Sequence, residues 1–177
     1  MEGRHQKLLN AGNSIVSQLQ AHRAVKAVVC FGSVAMQTDD EISDLDLYVF
    51  CEPAILSEQH RYDLLSSIPG TSAIEVGSSS AESAKGWFAA EDKVHIDNLP
   101  CEIEYNTVAQ LGTVVSHVLA NGNDPSPELA FRPYTMLGLL ENSLVLFDRD
   151  GMIKDLRHYL GAKIVLELVG DSKVLDT

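Results

Sequence analysis

Apolar and polar positions along this chain follow a mixed helix and strand rhythm as far as residue 106 and a mainly helical one beyond it. Residues 5–22 repeat Leu8, Leu9, Ile15, Val16 and Leu19 at helical intervals, which predicts an amphipathic helix. Residues 24–31, AVKAVVCF, are rich in β-branched side chains and stop at a glycine, as a buried strand does. Residues 32–37 predict a short helix and 38–43 (TDDEIS) a polar loop. A second strand follows at 44–51 (DLDLYVFC), closed by Pro53, because proline brings no donor to a ladder. A helix over 54–68 ends at Pro69-Gly70, and Gly77-Ser78-Ser79-Ser80 reads as a loop. Strands are expected at 72–76, 93–97 and 101–105, the last two separated by a turn at 98–100. Past residue 106, Val108, Leu111, Val114, Val115, Val118 and Leu119 mark a helical face. Residues 121–127 read as a loop and 129–140 as a helix despite Pro133. Residues 143–147 read as a short strand or extended segment, and 152–169 as a helix weakened by Gly161. The fold class is α/β (α+β): a small mixed sheet flanked by helices over residues 1–106, then a mainly helical C-terminal region, 107–177.

Composition narrows the function classes. A chain of 177 residues makes one ordinary domain, or one with a smaller appendage. Thirteen Lys and Arg against twenty-five Asp and Glu give a formal charge of −12. That disfavours general nucleic-acid binding, which wants a basic footprint, and suits cationic small molecules or a basic protein. No run of about 18 uncharged apolar residues offers a membrane span, and residues 1–20 lack the apolar core of a leader. A cytoplasmic protein is expected. Cys30, Cys51 and Cys101 sit in or beside apolar strands without a CxxC pair, as buried thiols do.

The chemistry concentrates in residues 31–50, FGSVAMQTDDEISDLDLYVF. Side chains alternate along a strand, so Asp44 and Asp46 share one face, about 6–7 Å apart at Cα, while Leu45 and Leu47 point to a core. Two carboxylates held together on an apolar strand repel, and a divalent cation offsets that cost. Gly32 lacks a Cβ and lets a phosphate approach its backbone. Ser33 adds a hydroxyl, and the first amides of a short helix favour an anion. Cations on the carboxylates would then bridge a nucleoside triphosphate set against the turn.

Gly32-Ser33, ten intervening residues, then Asp44-x-Asp46 and an apolar strand resembles the polymerase-β-type nucleotidyltransferase superfamily. Within it, the pattern is most similar to the small-molecule branch, which includes the antibiotic nucleotidyltransferases. The motif covers about twenty residues, and the strand order extends the likeness loosely over residues 1–106. The resemblance implies a nucleotidyltransferase-like catalytic domain and a third carboxylate on a neighbouring strand. Glu102 in CEIEY is the best match. Glu104 shares its face as an alternative and as a candidate general base, and Asp97 is a weaker competitor. It further implies two Mg2+ ions about 3.5–4 Å apart, bridged by Asp44 and Asp46, with Glu102 on the ion that activates the acceptor. Gly32 and Ser33 would orient the NTP, here ATP or another triphosphate. A hydroxyl of a small molecule, cationic in keeping with the acidic charge, would take the nucleoside monophosphate as pyrophosphate leaves.

Other readings remain beside this one: adenylylation of a protein or RNA target in the manner of toxin–antitoxin enzymes, or a non-enzymatic nucleotide-binding module. A tail of about 70 residues is short for gripping an acceptor, which leaves three readings open: a compact protein, a piece of a longer parent chain, or a site completed by a homodimer. Asp148-Arg149-Asp150-Gly151 lacks the ligand pattern of a calcium loop and reads as a turn before the last helix. His95 and His117 read as ordinary histidines, Trp87-Phe88 as a loop anchor or a cover for the base, and Arg132 as a lone cation.

Overall fold

The computed structural model describes residues 3–78, 88–121 and 133–171, with the side chains of 137–161 in the last segment. Trp87 and Arg132, together with residues 79–80 of the serine stretch and most of the 121–127 loop, lie outside the described residues.

Helix α1 (Arg4–Leu19) packs Leu8, Ile15 and Leu19 out of solvent. It leads into strand β1 (Val25–Phe31), the four-residue helix α2 (Gly32–Ala35) and strand β2 (Leu45–Cys51). Asp44 therefore falls just before β2 rather than inside it. Helix α3 begins at Glu58 and runs to Ser66, four residues later than the apolar pattern suggested. The reason is local: the Ser57 hydroxyl accepts from the His60 amide and caps the helix there. Strand β3 (Thr71–Val76) follows, then β4 (Ala90–Ile96) and β5 (Leu99–Thr107).

The turn between β4 and β5 differs from the expected one. Asp97 and Asn98 both take positive φ, 51° and 63°, so a two-residue turn replaces one at 98–100 and Leu99 and Pro100 belong to β5. Asp and Asn tolerate that backbone region better than other non-glycine residues, and it suits the twist of a tight hairpin. Helices α4 (Val108–Asn121) and α5 (Pro133–Asn142), strand β6 (Leu144–Asp148) and helix α6 (Met152–Asp171) complete the order. Between β6 and α6, residues 149–151 form a tight turn, and the Asp148 carboxylate accepts from the amides of Ile153 and Lys154.

The six strands form one mixed sheet in the order β3-β4-β5-β2-β1-β6. All neighbours are antiparallel except β2 and β5, which run parallel. Since β6 pairs with β1, the sheet draws strands from both sides of residue 106. The central strands β1 and β2 are covered on both faces, which accounts for their near-continuous apolar sequence. One face packs Leu45, Leu47, Val49 and Ile103 against α1 and α3. The other packs Val29, Tyr48 and Phe50 against Leu111, Val114, Leu140 and Ile153 from α4, α5 and α6. Among the described residues no helix is long and apolar enough to cross a membrane.

One ion pair in this apolar interior ties α3 to the sheet. Arg61 and Asp92 are both fully buried and paired to each other. Arg61 also donates to the Leu56 and Gly77 carbonyls and lies over the Tyr105 ring. Removing one partner of such a pair strands the other's charge in low dielectric. Arg61→Met is expected to cost about 3–5 kcal/mol in urea unfolding, and adding Asp92→Leu to restore most of it. A loss under about 1 kcal/mol would show that the pair does not hold α3 in place.

Candidate active site

Register decides which side chains meet. Glu75 on β3 pairs with Lys93, Lys93 with Glu102, Glu102 with Asp46, and Asp46 with Phe31. Those five residues form one row across five strands, and paired positions on adjacent strands share a face. The next row runs Glu91, Glu104, Tyr48, Val29. Acidic positions thus collect where the face is open, and aromatic and aliphatic ones where α4–α6 cover it.

Asp44, Asp46 and Glu102 come together. Each offers a carboxylate oxygen, and these oxygens lie within 4.8 Å of one another. That spacing, on three half-buried carboxylates, fits a divalent cation. Burial first, then the neighbouring Asp44 and Glu102 charges, push the Asp46 carboxyl up to about 6. Three anions held this closely call for a counter-charge.

The loop before Asp44 is built in advance. Asp40 accepts from Ser43 Oγ and from the Ile42 amide, at 2.8 and 3.1 Å. From α1, His5 Nδ1 lies 2.6 Å from Asp39 and Arg4 donates to the Ser43 carbonyl. Gly32 is needed twice over. Its φ is +69°, and a Cβ there would run into the Asp46 carboxylate. The Gly32-Ser33 turn accordingly sits against the carboxylate cluster.

Glu104 stands apart from the cluster. It is hydrogen-bonded to Tyr48, whose hydroxyl is the donor, while its Oε2 is buried without a partner. Burial dominates and raises its carboxyl to about 8; Tyr48 opposes the rise, and Glu91, Asp46 and Glu102 add to it. Tyr48 in turn stacks on Phe31 with ring centroids 4.2 Å apart and approaches Phe88 at 6.1 Å. Asp97 lies in the β4–β5 turn, outside the three-carboxylate cluster. His95 is exposed, and His117 contacts Asn121 on α4.

Beside the row lies a cleft of about 520 Å³, lined by Glu75, Gly77, Ser78, Phe88, Glu91 and Lys93 among others. Lys93 joins it to the cluster, its Nζ 2.7 Å from Glu102 and 3.1 Å from Glu91. Neither Lys93, Glu91 nor Tyr48 stood out in the sequence. A hairpin turn placed at Asp97-Asn98 would have set Lys93 opposite Glu102 and Glu91 opposite Glu104.

The family model described as "Polymerase beta, Nucleotidyltransferase" matches residues 13–84, from within α1 past the Gly32-Ser33 turn and Asp44-x-Asp46. The chain carries a polymerase-β-type nucleotidyltransferase domain. Nucleotidyl transfer is the activity of that superfamily, and the mixed sheet flanked by helices agrees with its fold. No curated relative matches the chain. In this nucleotidyltransferase domain the third carboxylate, Glu102, comes from a strand beyond the matched residues and is brought in by the β2–β5 pairing.

A divalent cation held by Asp46 would compete with protons for its carboxylate. With its carboxyl raised to about 6, Mn2+ affinity is expected to be full near pH 8 and to fall as pH drops below 6. The slope should approach about tenfold per pH unit. Calorimetric Mn2+ titrations at pH 8, 6.5 and 5.5 measure it. Affinity that stays level over this range would show that Asp46 takes no part.

Proposed function

We propose that this domain transfers a nucleoside monophosphate from an NTP to a hydroxyl of a small, cationic molecule, releasing pyrophosphate. The observation that carries the reading is the three-carboxylate cluster pressed against the Gly32-Ser33 turn, with an acidic cleft alongside. Asp44, Asp46 and Glu102 would hold the Mg2+, two ions in this reading. Bound there, the ions would neutralise triphosphate charge and lower the acceptor hydroxyl's pKa.

The chain's own groups supply the positioning. Gly32 leaves room for phosphate oxygens at the turn, and Ser33 offers its hydroxyl. Glu75 and Glu91 present carboxylates to an acceptor ammonium in the cleft, while Phe88 gives it an apolar surface. Glu104, one row inward from Glu102, is the candidate general base for the acceptor proton, a role it would fill once its raised carboxyl is ionised. Its Tyr48 hydrogen bond would fix which oxygen faces the acceptor. Residues 1–106 carry the catalytic groups, the mainly helical region after them backs the sheet and adds β6 to it, and a homodimer would complete the acceptor grip. The buried, free thiols of Cys30, Cys51 and Cys101 accord with a cytoplasmic setting.

Calorimetry with ATP and the other triphosphates, with and without Mg2+, tests the nucleotide half. Mg2+-dependent binding is expected in the wild type, and Asp44→Asn or Asp46→Asn should lower pyrophosphate release by at least about 100-fold. Full activity in both variants would move the chemistry elsewhere. For the acceptor half, Glu75→Gln should raise the KM of a hydroxylated amine by about tenfold, as the loss of one charge-assisted contact does, and leave nucleotide Kd unchanged. An unchanged KM would remove the cleft from acceptor recognition.

A further inference from the structure

The row Glu75, Lys93, Glu102, Asp46 holds a single cation. Lys93 touches two carboxylates at once, Glu102 from the metal cluster and Glu91 from the cleft wall. Its side chain is about half exposed, at 52 %, so its ammonium is free to move between partners. The three-carboxylate cluster needs an oxygen from Glu102. Lys93 holds Oε1 of Glu102, and a divalent ion on either oxygen of that carboxylate would stand close to the ammonium, where like charges repel. Lys93 and the ion therefore compete at Glu102.

We infer that Lys93 is the resident counter-ion of Glu102, and that a divalent ion entering the cluster displaces it toward Glu91 and Glu75 in the cleft. This rests on the carboxylates being a metal site and names the residue that governs its loading. In the absence of metal, Lys93 holds Glu102 against the repulsion of Asp44 and Asp46. Once the ion is in place, the ammonium becomes a charge of the cleft. Lys93 is a positioning residue in this scheme, acting through Glu102 and Glu91.

The test compares wild type, Lys93→Met and Lys93→Arg by thermal melting in chelator and in Mn2+. Mn2+ affinity is read by electron paramagnetic resonance. Lys26→Met serves as a control of equal charge, since Lys26 pairs with Glu52 outside the row. Lys93→Met should melt below wild type in chelator, gain more from Mn2+ and bind Mn2+ about two- to fivefold tighter, the size expected for losing one partly exposed competing ion pair. Lys93→Arg and Lys26→Met should bind Mn2+ as wild type does. A merely structural lysine would lower the melting temperature equally with and without Mn2+ and leave affinity alone, and that result overturns the exchange. So does weaker Mn2+ binding in Lys93→Met, or equal tightening in Lys26→Met. If Mn2+ binding is lost in Asp46→Asn yet indifferent to Lys93→Met, the metal site stands and the exchange falls. If the wild type binds no Mn2+, both fall.

Discussion

The parallel pairing of β2 with β5 is the constraint on which this molecule's site depends. It is the one parallel contact in the sheet, and it sets Asp46 level with Glu102 and Tyr48 level with Glu104. A slip of one residue would turn Glu102 into the core and Ile103 out of it. Register is held by the apolar set on the opposite face: Leu45, Leu47, Cys101 and Ile103 are all essentially inaccessible to solvent. The same burial that stabilises the fold thus fixes where the carboxylates stand.

Concentrating carboxylates on one face has an electrostatic cost that the surrounding residues share out. Asp46 has its carboxyl raised by burial and by its neighbours, and Glu104 more so. Tyr48 donates to Glu104, and Lys93 bridges Glu102 and Glu91. The Arg61–Asp92 pair handles a separate buried acid on the other face of β4, the strand that also carries Lys93. The Tyr48–Glu104 and Lys93–Glu102 contacts lie across strands, which stand about 4.8 Å apart, while Lys93–Glu91 joins two same-face positions along β4 and Arg61 reaches Asp92 from α3.

The covered end of the same face explains why helices follow the sheet. Tyr48 and Phe50 continue the line of Asp46 on β2 but are buried under α4, α5 and α6. The open end is left for the cluster, the Gly32-Ser33 turn and the cleft. Strand β6 lengthens the sheet beside β1, and Arg149 anchors it by donating to the carbonyls of Gln20, His22 and Val25. Segments far apart in sequence therefore meet at the end of α1 and the start of β1.

Local pattern was enough for the elements near the motif. Apolar spacing placed α1, β1 and β2 within a few residues, and the glycine-serine turn with its Asp-x-Asp strand was legible because side-chain alternation is a property of a strand by itself. Glu102 was legible only through resemblance, since nothing in CEIEY says which strand lies next to β2. The hairpin turn was misplaced by about a residue because Asp97-Asn98 relies on positive φ without glycine. That error hid Lys93 and Glu91 as cross-strand neighbours of Glu102 and Glu104. The start of α3 was set by a serine cap rather than by apolar spacing. The sequence by itself determined which residues could carry the chemistry and which face of each strand they occupy. The tertiary structure alone decided which strands are neighbours and in what register, because that choice belongs to the whole apolar core and not to any single segment.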